Sequence, residues 1–149
     1  MKDQELKCCI SGSYGKFKPE IDRTIEEFND HGITVLQPVK GWLLIPKGMI
    51  YRVNKNNFRP LPSERYMTVR QIEDSFLNDV SISNFLYVDN HEGHFGTSAC
   101  LEIGFAVARD IPVFFRQKPT TLIELEIEID KSIIASPSEI RGLLANSGE

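Results

Sequence analysis

NFLYVDNHEGHFGTSACLEIGFAVARDIPVFFR, residues 84–116, is the stretch that decides the fold. Its first apolar run, residues 85–88, is typical of a strand that is covered on both faces. A polar, glycine-containing loop follows, and apolar residues at helical spacing then predict a helix that ends at Asp110. Residues 111–115 predict a second buried strand. The stretch is therefore a βαβ unit whose polar loop falls at the carboxyl end of a strand, where open α/β sheets bind ligands.

The first 38 residues predict a similar unit. Residues 6–10 and 33–36 are apolar and predict two strands. Pro19 predicts the start of a helix between them, because proline is favoured in the first turn. The loop of residues 11–15 would then lie at the same edge of the sheet as the loop of residues 89–98.

Two capping-box patterns predict further helices. The Thr-x-x-Gln pattern at Thr68 predicts a helix over residues 69–79, and the Ser-x-x-Glu pattern at Ser136 predicts a terminal helix. Residues 122–129 predict one more strand. We therefore expect a flavodoxin-like (Rossmann-like) three-layer α/β fold with a parallel sheet of about five strands.

Residues 39–67 depart from this pattern. Residues 42–45 and 49–53 flank a Pro-Lys-Gly turn and predict a hairpin, and residues 54–62 predict a loop. Such a segment is either a lid over a site or a surface insertion without a ligand role. The chain is thus expected to form one domain over residues 1–149, with an insertion at about residues 39–67.

Composition excludes several classes of protein. The net charge is −4 and no basic tract is visible, which disfavours a nucleic-acid partner. Cys8, Cys9 and Cys100 show no zinc-binding spacing and indicate reduced residues of a cytoplasmic protein, so no metal or cofactor is expected. No signal peptide is recognised and no apolar run approaches the ~18 residues of a membrane span, so no membrane partner is expected.

Three segments together resemble the nucleoside 2-deoxyribosyltransferase-like family. They are CISGS at residues 9–13, GITVLQP at residues 32–38 and GHFGTSACLEIGFA at residues 93–106. Members carry a glycine-serine loop after the first strand and a glycine-rich loop that leads into a Glu-Ile/Leu-Gly-x-Ala helix. The resemblance omits the insertion. It implies cleavage or transfer of the N-glycosidic bond of a small nucleoside or nucleotide, by a homo-oligomer.

The resemblance also implies catalytic residues. Glu102 matches the nucleophilic glutamate of the family, which attacks the anomeric carbon as the base departs. Without that role, Glu102 would be an acid favoured by the start of its helix. A second acid is expected in the preceding helix, where Asp74 and Asp79 are both candidates. We expect an ionised, poorly solvated Glu102. The usual tyrosine before the glycine-serine loop is replaced by Cys9, and Tyr14 lies after that loop.

The expected substrate-binding residues end the two strands and open the helix. They are Ser11, Gly12, Ser13, Asp89, Asn90, Gly93, His94, Gly96, Thr97 and Ser98.

Several of these residues have two interpretations. Ser13, Thr97 and Ser98 could hold a 5′-phosphate, although capping explains Thr97 or Ser98 equally well. Asp89 and Asn90 either hold the sugar or base, or are ordinary turn residues. His94 either stacks on a base and supplies a proton, or is an exposed loop residue.

Two other functions remain as alternatives. One is a nucleotide sensor that has lost turnover, which the cysteine at position 9 favours. The other is a hydrolase of a nicotinamide dinucleotide, which breaks a chemically similar bond.

Overall fold

A computed structural model describes residues 5–14, 16–38, 51–53, 56–58, 69–120 and 132–147. The strands in these ranges are β1 (Leu6–Ser11), β2 (Ile33–Gln37), β3 (Tyr51–Val53), β4 (Asn56–Phe58), β5 (Phe85–Val88), β6 (Val113–Phe115) and β7 (Ser132–Ile134). The helices are α1 (Lys18–Asp30), α2 (Val69–Ser81), α3 (Thr97–Ala108) and α4 (Pro137–Ser147), with a 3₁₀ turn at His91–Gly93.

The main sheet has the strand order β2-β1-β5-β6-β7, and all of its neighbouring strands are parallel. The expected fold class, an α/β fold compatible with flavodoxin, is confirmed. From β1 the chain moves outward to β2, whereas β5 pairs on the other side of β1. This reversal is the topological switch point of the sheet, and the loops after β1 and β5 therefore flank the expected ligand crevice.

Helices cover both faces of the sheet and create two hydrophobic cores. One core contains Cys8 together with buried residues of α1 and α4, and the other contains Cys9 together with buried residues of α2 and α3. The two cysteines point to opposite faces, as expected for consecutive residues of a strand, and both are free thiols.

Apolar residues at helical spacing face the core in both α1 and α2. Ile21, Ile25 and Phe28 of α1 are buried, as are Phe76 and Val80 of α2. At the start of α4, Glu139 Oε1 accepts hydrogen bonds from the Ser136 backbone N–H at 2.9 Å and from the Ser136 hydroxyl at 2.8 Å. These bonds lower the pKa of Glu139 and hold the first turn.

The insertion differs from its prediction where it is described. Strand β3 pairs antiparallel with β4, with Val53 opposite Asn56, although residues 56–58 were expected to lie in a loop. Only two residues of the sequence separate the strands, a spacing that is typical of a hairpin. Residues 42–48, Thr68 and residues 122–129 lie outside the described ranges.

The edge strand β7 is also described. It pairs with β6 through residues 132–134, a few residues after the predicted run.

No helix within the described ranges is long and apolar enough to cross a membrane.

Candidate functional site

The loops after β1 and β5 meet at one end of the sheet, as predicted. The Asp89 backbone N–H donates to the Ser11 carbonyl at 2.8 Å. A Cβ at Gly12 would lie 3.3 Å from the Asp89 carbonyl oxygen, a tight contact, so glycine lets the two loops approach closely without displacing either one. The Phe17 and His91 rings stand 5.2 Å apart and extend the contact.

Glu102 reaches this end of the sheet from α3. It shares the inner face of the helix with Ala99, Ile103 and Ala106, which the 3.6-residue repeat places together. Its side chain is buried with 6% exposure. Oε1 accepts a hydrogen bond of 2.5 Å from the Ser11 hydroxyl. The last residue of β1 and the middle of α3 are thus joined at the switch point.

A second carboxyl group, Glu73 of α2, completes the site. It forms a side-chain hydrogen bond with Glu102. Its Oε1 atom is buried and has no hydrogen-bond partner among the residues that the structure describes. The sequence analysis missed Glu73, although it directly follows the inward Ile72 and lies three residues before the inward Phe76. That position is at the edge of the buried face, where a side chain can reach the neighbouring helix.

The two acids change each other's protonation. Burial, the largest cause, and the adjacent Glu73 together raise the pKa of Glu102 to about 9, while the Ser11 hydroxyl opposes the shift. Burial also raises the pKa of Glu73, but the hydrogen bond from Glu102 works in the opposite direction. At neutral pH Glu102 therefore holds the proton and donates to Glu73. The prediction of an ionised Glu102 is wrong, because burial outweighs the helix start.

The acids predicted in α2 do not join the site. Asp74 points outward with a side chain that is 60% exposed, and its nearest cation is Arg70 at 3.7 Å. Asp79 accepts a hydrogen bond of 2.5 Å from the Gln37 side chain and thereby ties α2 to the end of β2. Glu73, the acid that reaches Glu102, directly precedes Asp74. One residue corresponds to a rotation of about 100° around the helix, so the two side chains point in different directions.

Asp89 is committed to a network inside the protein. It is buried, and it accepts hydrogen bonds from the Thr24 hydroxyl at 2.7 Å and from Arg116 Nε at 2.5 Å. Burial alone would lower the pKa of Arg116, but Asp89 raises it. His91 Nε2 lies 3.1 Å from the same carboxylate. Asp89 therefore holds α1, β5 and β6 together.

Asn90 also has partners within the protein. Its amide donates to the Gln117 carbonyl at 2.9 Å, and its side-chain oxygen accepts from the Gln117 backbone N–H at 3.0 Å. These contacts favour a structural role for Asp89 and Asn90 over binding of the sugar or base.

The remaining predicted residues lie along the loop into α3. Gly93 has a φ of +83°, and a Cβ there would lie 2.9 Å from the Lys118 carbonyl oxygen, which explains the glycine. Gly96 is the N-cap of α3, and a Cβ there would meet no atom within 4 Å. His94, Thr97 and Ser98 in the same stretch are exposed, and so is Ser13, which lies in the loop after β1. No side chain caps α3, so the capping expected of Thr97 or Ser98 is not formed.

The structure also describes the surroundings of Cys9, which stands where the family carries a tyrosine. Cys9 lies on the α2 side of the sheet with its sulfur 3.5 Å from the Ser83 hydroxyl, and burial raises its pKa to about 12. The Tyr14 hydroxyl donates to the Ile10 carbonyl. The hydroxyl group that contacts Glu102 comes from Ser11 instead.

Comparisons with known proteins show the fold alone. No family model matches the chain, and no curated protein matches it. Among solved structures, the chain is similar to a conserved protein from Enterococcus faecalis V583, with a TM-score of 0.61 and 13% sequence identity. The similarity covers 97% of this chain and 99% of that chain.

Proposed function

We propose that this protein cleaves or transfers the N-glycosidic bond of a nucleoside or nucleotide, with Glu102 as the nucleophile. The observation that supports the proposal most strongly is the placement of Glu102. A carboxyl group is buried at the switch point of a parallel sheet, held by a hydroxyl from β1 and a second carboxyl from α2. Ligands of open α/β sheets bind at this place, and a carboxylate is the usual nucleophile of glycosidic cleavage with retention.

The chemistry proceeds in two displacements. Glu102 first passes its proton to Glu73 or to solvent. Its Oε atom then bonds to the anomeric carbon while the carbon–nitrogen bond breaks, and its electron pair leaves with the base, which takes up a proton from solvent. Water or a second base next attacks the same carbon, releases the Glu102 carboxylate and completes hydrolysis or transfer. The Ser11 hydroxyl stabilises the carboxylate form, which is the form that attacks.

One observation favours the sensor alternative. Glu102 is protonated at neutral pH, so the resting site holds a carboxylic acid and not a nucleophile. A protein that only binds a nucleotide could keep this state, because a protonated carboxyl can donate a hydrogen bond to a ligand oxygen or nitrogen.

The test is release of free base from a panel of nucleosides and nucleotides, measured by chromatography. Glu102→Gln keeps the shape and removes the nucleophile, so we expect base release to fall on the order of a hundredfold or more while binding is retained. Asp110→Asn is the matched control, since it removes one exposed acid just beyond the C-terminal end of the same helix. If the wild-type protein releases no base from any compound but binds one of them, the sensor alternative replaces the enzyme.

A further inference from the structure

The Glu73–Glu102 pair has no positively charged partner among the described residues. The charged groups that influence the two carboxyls are the pair itself and Asp74, which is also an acid. One buried oxygen of the pair, Glu73 Oε1, has no hydrogen-bond donor at all. Burying a carboxylate without a hydrogen-bond donor or a cation costs free energy. The pair without a ligand therefore keeps a proton where a cation would otherwise balance the charge.

The same fold treats its other buried acid differently. Asp89 receives Arg116 Nε at 2.5 Å, and the Arg116 side chain is only 21% exposed. A cation is thus built in beside Asp89, on the α1 side of the crevice, and none of the described cations is built in beside Glu102. The contrast indicates that the positive charge at the carboxyl pair is brought by the ligand.

The geometry of the pair adds a second reason. A nucleophile and a leaving group occupy opposite faces of the anomeric carbon during displacement. Glu73 contacts Glu102, so it stands on the side of the nucleophile and not on the side from which the base departs. Glu73 is therefore badly placed to protonate a departing base. A base that carries a positive charge before cleavage needs no such proton, because it leaves as a neutral molecule.

We infer that the substrate is an N-glycoside whose base carries a fixed positive charge at the glycosidic nitrogen, of the pyridinium type. This inference rests on the proposed function. The cation displaces the shared proton from the carboxyl pair into solvent, and Glu102 then attacks the anomeric carbon. The electron pair of the broken bond returns to the ring nitrogen and gives a neutral pyridine. Water hydrolyses the glycosyl ester, restores the Glu102 carboxylate and releases its proton to solvent.

The cleavage experiment compares two substrates of nearly equal shape. Nicotinamide riboside carries the pyridinium charge, and its 1,4-dihydro form is neutral. Because the pyridinium is also the better leaving group in water, the quantity compared is kcat/KM divided by the uncatalysed rate of the same compound. With the full chain we expect this quantity to be about ten- to a hundredfold higher for the charged compound, the range of one charge-assisted contact. Glu73→Gln should reduce this preference, and the control Asp110→Asn should keep it. An equal or lower value of this corrected quantity for the charged compound would overturn the inference and leave glycosidic cleavage intact.

A binding experiment separates this inference from the proposed function. The probes are 1-methylnicotinamide, a cation without a glycosidic bond, and neutral nicotinamide. Calorimetry near neutral pH, in two buffers of different ionisation enthalpy, should show tighter binding of the cation with release of a proton. If this preference holds but no glycoside is cleaved, the proposed cleavage fails and cation recognition stands. If nicotinamide binds as well as the cation, or no proton is released, the inference is wrong.

Discussion

At the scale of single residues, Glu102 has two opposing influences on its charge. The Ser11 hydroxyl favours the carboxylate, while burial and Glu73 favour the acid, and the acid form prevails with a pKa of about 9. Burial outweighs the hydroxyl because a single neutral donor replaces little of the hydration that a carboxylate loses. Glu73 contributes to the raised pKa of Glu102. The two residues are far apart in the sequence, so their contact could not be predicted from it.

This raised pKa predicts how stability depends on pH. From about pH 4.5 to about pH 9 the folded protein binds more protons at Glu102 than the unfolded chain does, so the free energy of unfolding falls as pH rises. The slope from this group is at most about 1.4 kcal/mol per pH unit. Glu102→Gln should flatten it, as measured by urea unfolding at several pH values. Asp110→Asn should follow the wild type, and an equally steep slope in Glu102→Gln would contradict the assignment.

At the scale of elements, the helices show what sequence patterns resolve. Periodicity placed Phe76 and Val80 of α2 in the core, and both are buried. Periodicity did not identify which acid of α2 reaches the site, because a shift of one residue turns a side chain by about 100° and the pattern fixes the buried face only broadly. The choice between Glu73 and Asp74 depends on how α2 packs against α3, which is a tertiary contact.

The two neighbouring acids of α2 therefore make a paired test. Glu73→Gln removes the charge that raises the pKa of Glu102, so that pKa should fall toward its ordinary value. Asp74→Asn removes an exposed charge beside Arg70 and should leave the pKa of Glu102 nearly unchanged. Carbon-detected NMR titration of the Glu102 carboxyl measures both. A larger shift in Asp74→Asn than in Glu73→Gln would restore the acid that the sequence predicted.

At the scale of the whole molecule, the sheet separates two sets of polar residues. The fold class, the switch point and the meeting of the two loops followed from strand order, which the sequence patterns define. The roles of the loop residues could not be predicted in the same way. The role of Asp89, for example, depends on hydrogen bonds from Thr24 and Arg116, which are distant in the sequence. Its network holds the elements together, whereas Glu102, the residue that we propose as the nucleophile, has none of the described cations beside it.

A substitution in each set should separate stability from activity. Arg116→Met keeps an apolar stem but leaves the buried Asp89 without its cation, and removing one partner of such a pair costs about 3–5 kcal/mol. Base release per folded molecule should nevertheless stay near the wild-type value, because Arg116 contacts Thr24 and Asp89 and neither carboxyl of the pair. Glu102→Gln should show the reverse, with base release lost and stability near pH 8 kept or increased, since it removes a buried acid that resists ionisation. Urea unfolding and initial rates under conditions where each variant is folded provide the two measurements. If folded Arg116→Met loses base release as fully as Glu102→Gln does, the Asp89 network belongs to the catalytic site, and the division of the sheet into a structural and a chemical side is wrong.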